Sequence, residues 1–323
     1  MGTDRRTIRL GLLGCADVAV RRVLPAVTRL PGMELAVSAS RTLDKAEKVA
    51  ADFGGEAVEG YERLLENPHV DAVYIPLPSG MHAHWTERAL AAGKHVLAEK
   101  PLTTGAGDTE SLHALAVERG LVLRENFMFL GHRLHDRVAA LLESQSLGRI
   151  HSFHAAFTIP ARPARDIRHC PELGGGALLD TAGYPVRAAI RFFGTDMEVS
   201  GAVLRHDPAL GVDLSGSALL RTSDGVAIHC TFGLDHHYTS TYQFLGSAGR
   251  LSVDHVFTTP ADHRPIIRID DAAGRSEEHV PADDQFVNSL SFFADDIRRS
   301  NPGTDSATRV QAKVIDRIRE LSR

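Results

Sequence analysis

The sequence predicts an α/β chain, with a doubly wound parallel sheet first and an α+β part carrying a large, mostly antiparallel open sheet second. Three observations predict it. Short apolar strands alternate with helix patterns from Ile8 to Asn126. A glycine-bearing turn, Gly11-x-x-Gly14, stands where the first strand meets the first helix. Beyond Phe193 the pattern becomes alternating strands separated by turn signals such as Ser223-Asp224-Gly225 and Ser247-Ala248-Gly249. The change of pattern predicts a cofactor domain at 1–127 and a substrate-binding and oligomerisation domain at 128–323, with packing of the last helices back on the first domain left open.

The elements follow in order. Residues 8–13 read as a strand, and Gly14 opens a helix that Pro25 interrupts or restarts. Residues 33–40 alternate as a second strand. A helix from Leu43 to Phe53 stops at Gly54-Gly55. A short piece near Ala57-Val58 and a helix over 61–65 come next. Val70–Leu77 is a continuous apolar strand, closed by Pro78 and Ser79. A helix over 84–92 ends at Gly93, and His95–Ala98 is the strand that leads to Glu99-Lys100-Pro101. A helix over 108–119 and a strand over 121–126 complete the first part. The second part reads as a helix near 133–143, a strand over 150–158 and a polar loop over 159–173. One helix from Gly176 to Phe193 follows, with a break or start at Pro185. Strands run from 197 to 271, and two helices close the chain at 284–300 and 306–322.

Of 323 residues, 43% are hydrophobic and 24% charged, the balance of an ordinary globular chain. The net charge of −5 with no basic block argues against nucleic acid. No apolar stretch reaches about 18 residues, so no membrane span is expected. Met1–Arg6 runs directly into a strand, and no leader is expected. Cys15, Cys170 and Cys230 are odd in number and far apart, which fits a reducing cytoplasm. The histidine pairs 82/84, 132/135, 151/154 and 236/237 have no carboxylate or cysteine at ligand spacing, so no metal is expected.

The turn Gly11-x-x-Gly14-Cys15-Ala16-Asp17 suits a dinucleotide pyrophosphate. Glycines allow close backbone approach, and the helix start supplies unpaired N–H groups. Small residues here also serve plain helix-on-sheet packing. An NAD site places an acid at the end of the second strand. This chain has Ser40-Arg41 there, with Lys45 a turn later, which suits a 2′-phosphate and favours NADP over NAD. Leu77, Ser79 and His82 at the end of the fourth strand are further candidate cofactor contacts. The bland reading of that segment is an ordinary strand-to-helix turn.

Lys100 is the most informative single residue. A lysine is costly to bury, and just past a parallel strand it points into the crevice where such sheets bind ligands. A second group is Gly174-Gly175-Gly176 with Asp180 and Tyr184, the last two spaced to share a helix face. They read either as core groups satisfying each other or as a proton relay. Together these fit ketone reduction: an ammonium stabilises charge on the carbonyl oxygen and a phenol delivers the proton. An unperturbed phenol titrates near about 10, and a neighbouring ammonium favours phenolate.

Glu99-Lys100-Pro101, Gly174–Tyr184 and Phe244–Leu251 resemble the motifs of the glucose–fructose oxidoreductase / inositol dehydrogenase (Gfo/Idh/MocA) family. The resemblance spans essentially the whole chain. It implies an N-terminal Rossmann domain, NAD(P)-dependent redox chemistry on sugars or polyols, and homodimers or homotetramers built through the second sheet. Within the family, Gly11–Asp17, Arg22–Ala26, Ile159–Pro163 and Gly174–Ala189 look most like the NDP-sugar 3-ketoreductases of antibiotic deoxysugar biosynthesis. Carried over, Lys100 and Tyr184 form the catalytic pair, Asp180 orients helix or substrate, and Glu99 joins Lys100 beside the cofactor. Ala182-Gly183 departs from the family pattern. A nucleotide-sugar diphosphate needs cations, and Arg162, Arg165, Arg168 and His169 are candidates, with Asn126 as a further substrate contact. Their alternative is a solvated loop.

The expected function is therefore NADPH-dependent reduction of a 3-keto group on a nucleotide-linked, dTDP-type deoxysugar. Two alternatives stand beside it: another NAD(P)-dependent sugar or diol dehydrogenase of the family, and a non-catalytic NADP-binding sensor. Retention of both Lys100 and Tyr184 argues against the sensor.

Overall fold

The computed structural model describes residues 6–302 and 305–322; the expectation about a leader falls almost wholly outside them. In chain order the elements begin with β1 (Ile8–Leu13), α1 (Leu24–Val27), β2 (Met33–Ser40), α2 (Leu43–Phe53), β3 (Glu56–Glu59) and α3 (Tyr61–Glu66). Next are β4 (Ala72–Ile75), α4 (His82–Ala91), β5 (His95–Glu99), α5 (Ala106–Glu118) and β6 (Leu123–Asn126). Then come α6 (Leu134–Glu143), β7 (Ile150–Thr158), α7 (Ala177–Asp180), α8 (Gly183–Phe193) and β8 (Met197–Asp207). The chain continues with β9 (Val212–Thr222), β10 (Ala227–Gly233), β11 (Thr239–Gly246), β12 (Gly249–Asp254), β13 (Ile266–Asp271) and β14 (Gly274–His279). Helices α9 (Gln285–Arg298) and α10 (Ser306–Leu321) close it.

These elements form two compact units. The first holds the chain through Thr103, Gly107–Met128 and Phe286–Asp305; the second holds Thr104–Ala106, Phe129–Gln285 and the chain from Ser306. In the first unit six parallel strands lie in the order β3-β2-β1-β4-β5-β6. The order reverses between β1 and β4, which opens a ligand crevice beyond the C-terminal strand ends. Strand parity builds a core on each face. Leu10, Leu12, Tyr74 and Leu97 meet Val23, Leu24 and the α9 residues Leu290 and Phe293 on one side. Leu13, Val73, Ile75 and Ala98 meet Leu64, Leu90 and Leu112 on the other. The apolar run expected to pair over Val70–Leu77 pairs only over 72–75. Pro76 has no amide to continue the ladder.

In the second unit an eight-stranded sheet runs β14-β13-β12-β11-β7-β10-β9-β8. All neighbours are antiparallel except β7 and β10. One face buries Phe153, Phe232, Tyr242 and Phe244. The other carries exposed Val203, a stacked His154–His229 pair at 4.3 Å, and the ion pairs Arg250–Asp270 and Arg268–Asp254. The helix expected over 176–193 is two helices. Pro185 offers no amide to the Thr181 carbonyl four residues back, and its ring crowds that carbonyl. The Tyr184 amide turns to Thr181 instead, at 3.3 Å.

His135 on α6 is fully buried, with Nδ1 3.1 Å from the Tyr242 hydroxyl. Burial pushes its pKa down to about 3, with His132 and Arg191 adding to the effect. The folded state thus refuses a proton that the unfolded chain takes up below about 6.5. Stability from this group is full above that pH and falls progressively toward pH 3. Going from pH 7 to pH 5 should cost about 2 kcal/mol through His135. Urea unfolding at both values is expected to show this loss, and His135→Phe should shrink it by the same amount. Equal pH slopes in the two proteins would exclude the assignment.

Candidate active site

The C-terminal edge of the parallel sheet carries the candidate nucleotide residues. β1 ends at Leu13, and Gly14 turns with φ +108°, a region L side chains rarely adopt. Its amide donates to the Ala39 carbonyl at 3.0 Å, and a Cβ at Gly14 would stand 2.6 Å from Leu77 Cδ2. Leu77 therefore walls the turn. Cys15 is half-buried, and burial pushes its thiol pKa up against the opposing effect of Lys45. Ala16 is partly covered, whereas Asp17 is exposed and pairs with Arg21 at 3.2 Å. Ser40 is buried, and its carbonyl accepts from the Gly60 amide. Arg41 and Lys45 are exposed beside it, and Ser79 is partly buried beyond β4.

Gly11 does not belong to this edge. It sits within β1, and a Cβ there would strike Leu64 and Val70 at 2.8 and 3.0 Å. Its smallness seats α3 on the sheet. Sequence reasoning missed Tyr61, whose hydroxyl lies 3.8 Å from a Cβ built on Gly14 and whose ring meets Trp85 edge-on. Burial pushes its pKa up, Arg41 opposes and Cys15 reinforces, so Tyr61 stands near both of those residues.

Lys100 is partly buried just past β5, and the Lys100–Pro101 peptide is cis. Its neighbour Glu99 accepts from the Tyr74 hydroxyl at 2.7 Å and from Asn126 Nδ2 at 2.6 Å. Burial pushes the Glu99 pKa up, while those two donors and Lys100 hold it down. Asn126 was expected at the substrate. It is 2% exposed, and its oxygen accepts from Ser289, so both ends of the amide are engaged in orienting Glu99. Tyr74 went unremarked because it lies in an otherwise apolar strand. Glu125 holds the following segment by accepting the Leu102 amide at 2.9 Å.

His82 was expected at the cofactor. It is 1% exposed, with Nδ1 2.7 Å from the Pro101 carbonyl and Nε2 2.6 Å from the Leu77 carbonyl. Burial pushes its pKa down and Lys100 adds to this, while the two carbonyls act the other way. It braces the wall from behind.

In the second unit, Tyr184 is buried among Phe157, Phe257 and Phe129, with ring centroids 4.2, 5.5 and 6.0 Å away. Asp180 ends α7 and does not share a helix with Tyr184. Its carboxylate accepts from Arg168 Nε at 2.7 Å. Arg168 also reaches Asp166 at 3.1 Å, and these carboxylates raise its pKa despite the burial that lowers it. Arg168, expected at the diphosphate, thus anchors its loop through two carboxylates. Arg162 and Arg165 are exposed, and His169 is partly covered.

The glycine run admits the chain itself. A Cβ at Gly175 would lie 2.5 Å from the Arg168 carbonyl, and one at Gly176, with φ +107°, would strike Asp213. Asp213 on β9 was missed. It accepts the Leu178 amide at 2.6 Å and so caps the start of α7. Among the described residues, no group of three or more His, Cys, Asp or Glu is placed to hold a metal, and no helix is long and apolar enough to cross a membrane.

Comparison with known proteins identifies the family. Residues 8–127 match the sequence model of the oxidoreductase family with an NAD-binding Rossmann fold, and residues 135–252 match the GFO/IDH/MocA C-terminal domain. The chain is 49% identical to a dTDP-3,4-didehydro-2,6-dideoxy-alpha-D-glucose 3-reductase of Actinomadura kijaniata, over 98% of this chain and 96% of that protein. It is 37% identical to a D-xylose 1-dehydrogenase (NADP(+)) of Haloferax volcanii, over 76% of each. A crystal structure of a 3-ketoreductase from Actinomadura kijaniata with NADP and TDP-benzene superposes with a TM-score of 0.96 at 48% identity, covering 98% of each chain. The chain belongs to the Gfo/Idh/MocA oxidoreductase family with an NAD-binding Rossmann fold.

Proposed function

We propose that this chain reduces the C3 ketone of a dTDP-linked 3-keto-deoxysugar with NADPH. One observation carries the reading: near full-length identity of 49% to a reductase of that reaction type. The solved relative holding NADP and TDP-benzene supports the same cofactor and nucleotide. The residues fit the cofactor. Gly14 permits the left-handed turn after β1, and exposed Arg41 and Lys45 suit a 2′-phosphate.

When bound, NADPH supplies hydride to the ketone carbon. In the proposed mechanism the Lys100 ammonium stabilises the charge that builds on the ketone oxygen. The Tyr184 hydroxyl gives that oxygen its proton, completing the alcohol, and the phenolate is reprotonated from solvent. Glu99 orients the Lys100 segment, and Asp180 holds the Arg168 loop. Arg162 and Arg165 take the diphosphate. In this reading residues 1–127 serve the cofactor, and residues 128–323 serve the substrate and self-association. The open sheet face with Val203 and Leu219 exposed supports a homodimer or homotetramer, and three free cysteines support a cytoplasmic setting. The second reading, an NADP-dependent free-sugar dehydrogenase, is favoured by the xylose dehydrogenase relative.

Two measurements test this. With a dTDP-3-keto-6-deoxy sugar, NADPH consumption is expected, and Lys100→Ala and Tyr184→Phe should each lower kcat by about 10²–10⁴-fold. NADPH binding, read by fluorescence, should survive in both. Unchanged rates in both variants would remove the catalytic pair, and turnover of free xylose alone would favour the second reading. The double change Arg41→Ala, Lys45→Ala should raise the KM for NADPH by about 10–100-fold while leaving NADH use nearly unaltered. Equal loss with both cofactors would contradict the 2′-phosphate assignment.

A further inference from the structure

We propose that His82 is a positioning residue with two separable tasks: through Pro101 it sets the Lys100 segment, and through Leu77 it sets the wall of the nucleotide turn. The ring is 1% exposed, and each nitrogen meets a main-chain carbonyl, Nδ1 at Pro101 (2.7 Å) and Nε2 at Leu77 (2.6 Å). Those carbonyls belong to the segments that leave β5 and β4, two adjacent parallel strands. A carbonyl oxygen only accepts, so the ring donates to one of the two carbonyls when neutral and to both when protonated.

Pro101 follows Lys100 directly, so the position of its carbonyl fixes the exit direction of the Lys100 main chain. Leu77 presses its Cδ2 into the space where Gly14 lacks a Cβ, at 2.6 Å, so its position shapes the nucleotide turn. One buried ring thereby joins the cofactor turn to the ammonium that serves the ketone. Lys100 is the charged group that faces the ring electrostatically.

Counting bonds from Cβ, the amide nitrogen of Asn corresponds to Nδ1 and that of Gln to Nε2. Each is a neutral donor. His82→Asn therefore retains the Pro101 contact and loses the Leu77 contact, whereas His82→Gln does the reverse. The test uses the full chain with three variants, Asn, Gln and Ala. It reads the NADPH dissociation constant without sugar, kcat with a dTDP-3-keto-6-deoxy sugar, and the melting temperature without either ligand.

The Asn variant should weaken NADPH binding about tenfold while lowering kcat less than about threefold, and the Gln variant should show the opposite split. The Ala variant should lose both. Variants whose affinity and kcat fall together, in step with melting temperature, would show a residue that only fills the core and would overturn the proposal. Failure of all three to fold would overturn it as well. The kcat arm rests on the ketoreductase reading. If the wild-type chain does not turn over the sugar, that reading fails, while the order of NADPH affinities, with Gln tight and Asn and Ala weak, still decides the role of His82.

Discussion

A carboxylate and a lysine adjacent in sequence at the end of a buried strand must be held by groups on other strands, because a buried carboxylate without partners costs several kcal/mol. Glu99 meets this demand sideways. Tyr74 donates from β4 and Asn126 from β6, on either side of β5. The register that pairs Glu99 with Asn126 and Leu97 with Tyr74 is therefore part of the site. A slip of one residue would turn those side chains to the opposite face. Ser289 on α9 pins the Asn126 oxygen, so a helix 163 positions away along the chain also bears on the Lys100 segment.

Much of this was legible in the sequence because it is periodic or local. The apolar strands of the first unit are short and uninterrupted, and their breakers are Gly and Pro at the observed ends. The glycine turn, Ser40-Arg41 and Lys100 could be placed because each directly follows a strand, and a parallel sheet sends all such segments to one edge. What was not legible is which partner a polar side chain finds. Asn126 and His82 read as ligand groups because one ends a strand and the other opens a helix just past one, at the C-terminal edge of the sheet. The structure turns both toward main chain or carboxylate behind it, and the partners Ser289, Leu77 and Pro101 leave no periodic mark.

Glycine was ambiguous for a related reason. A missing Cβ announces a close approach without saying what approaches. At Gly14 the approaching group is Leu77, at Gly11 it is Leu64, and at Gly175 it is the Arg168 carbonyl. Only the first lies at the nucleotide edge. The spacing of Asp180 and Tyr184 misled for another local reason. The i,i+4 rule assumes an unbroken helix, and Pro185 withdraws the amide that would have kept it unbroken.

The loop between β7 and α7 is likewise made definite by internal pairing. Its inner end is fixed three times over: Arg168 to Asp180, the Gly176 amide to the Arg168 carbonyl at 2.9 Å, and the Leu178 amide to Asp213. Arg162 and Arg165 stand nearer β7 on an exposed stretch. An arginine between two carboxylates has its donors engaged and its charge offset, whereas an exposed one has neither. Arg168 at the inner end thus makes the loop definite, and the two outer arginines stay exposed. Of Arg162, Arg165 and Arg168, only Arg168 is drawn in by carboxylates, and burial separates it from the other two.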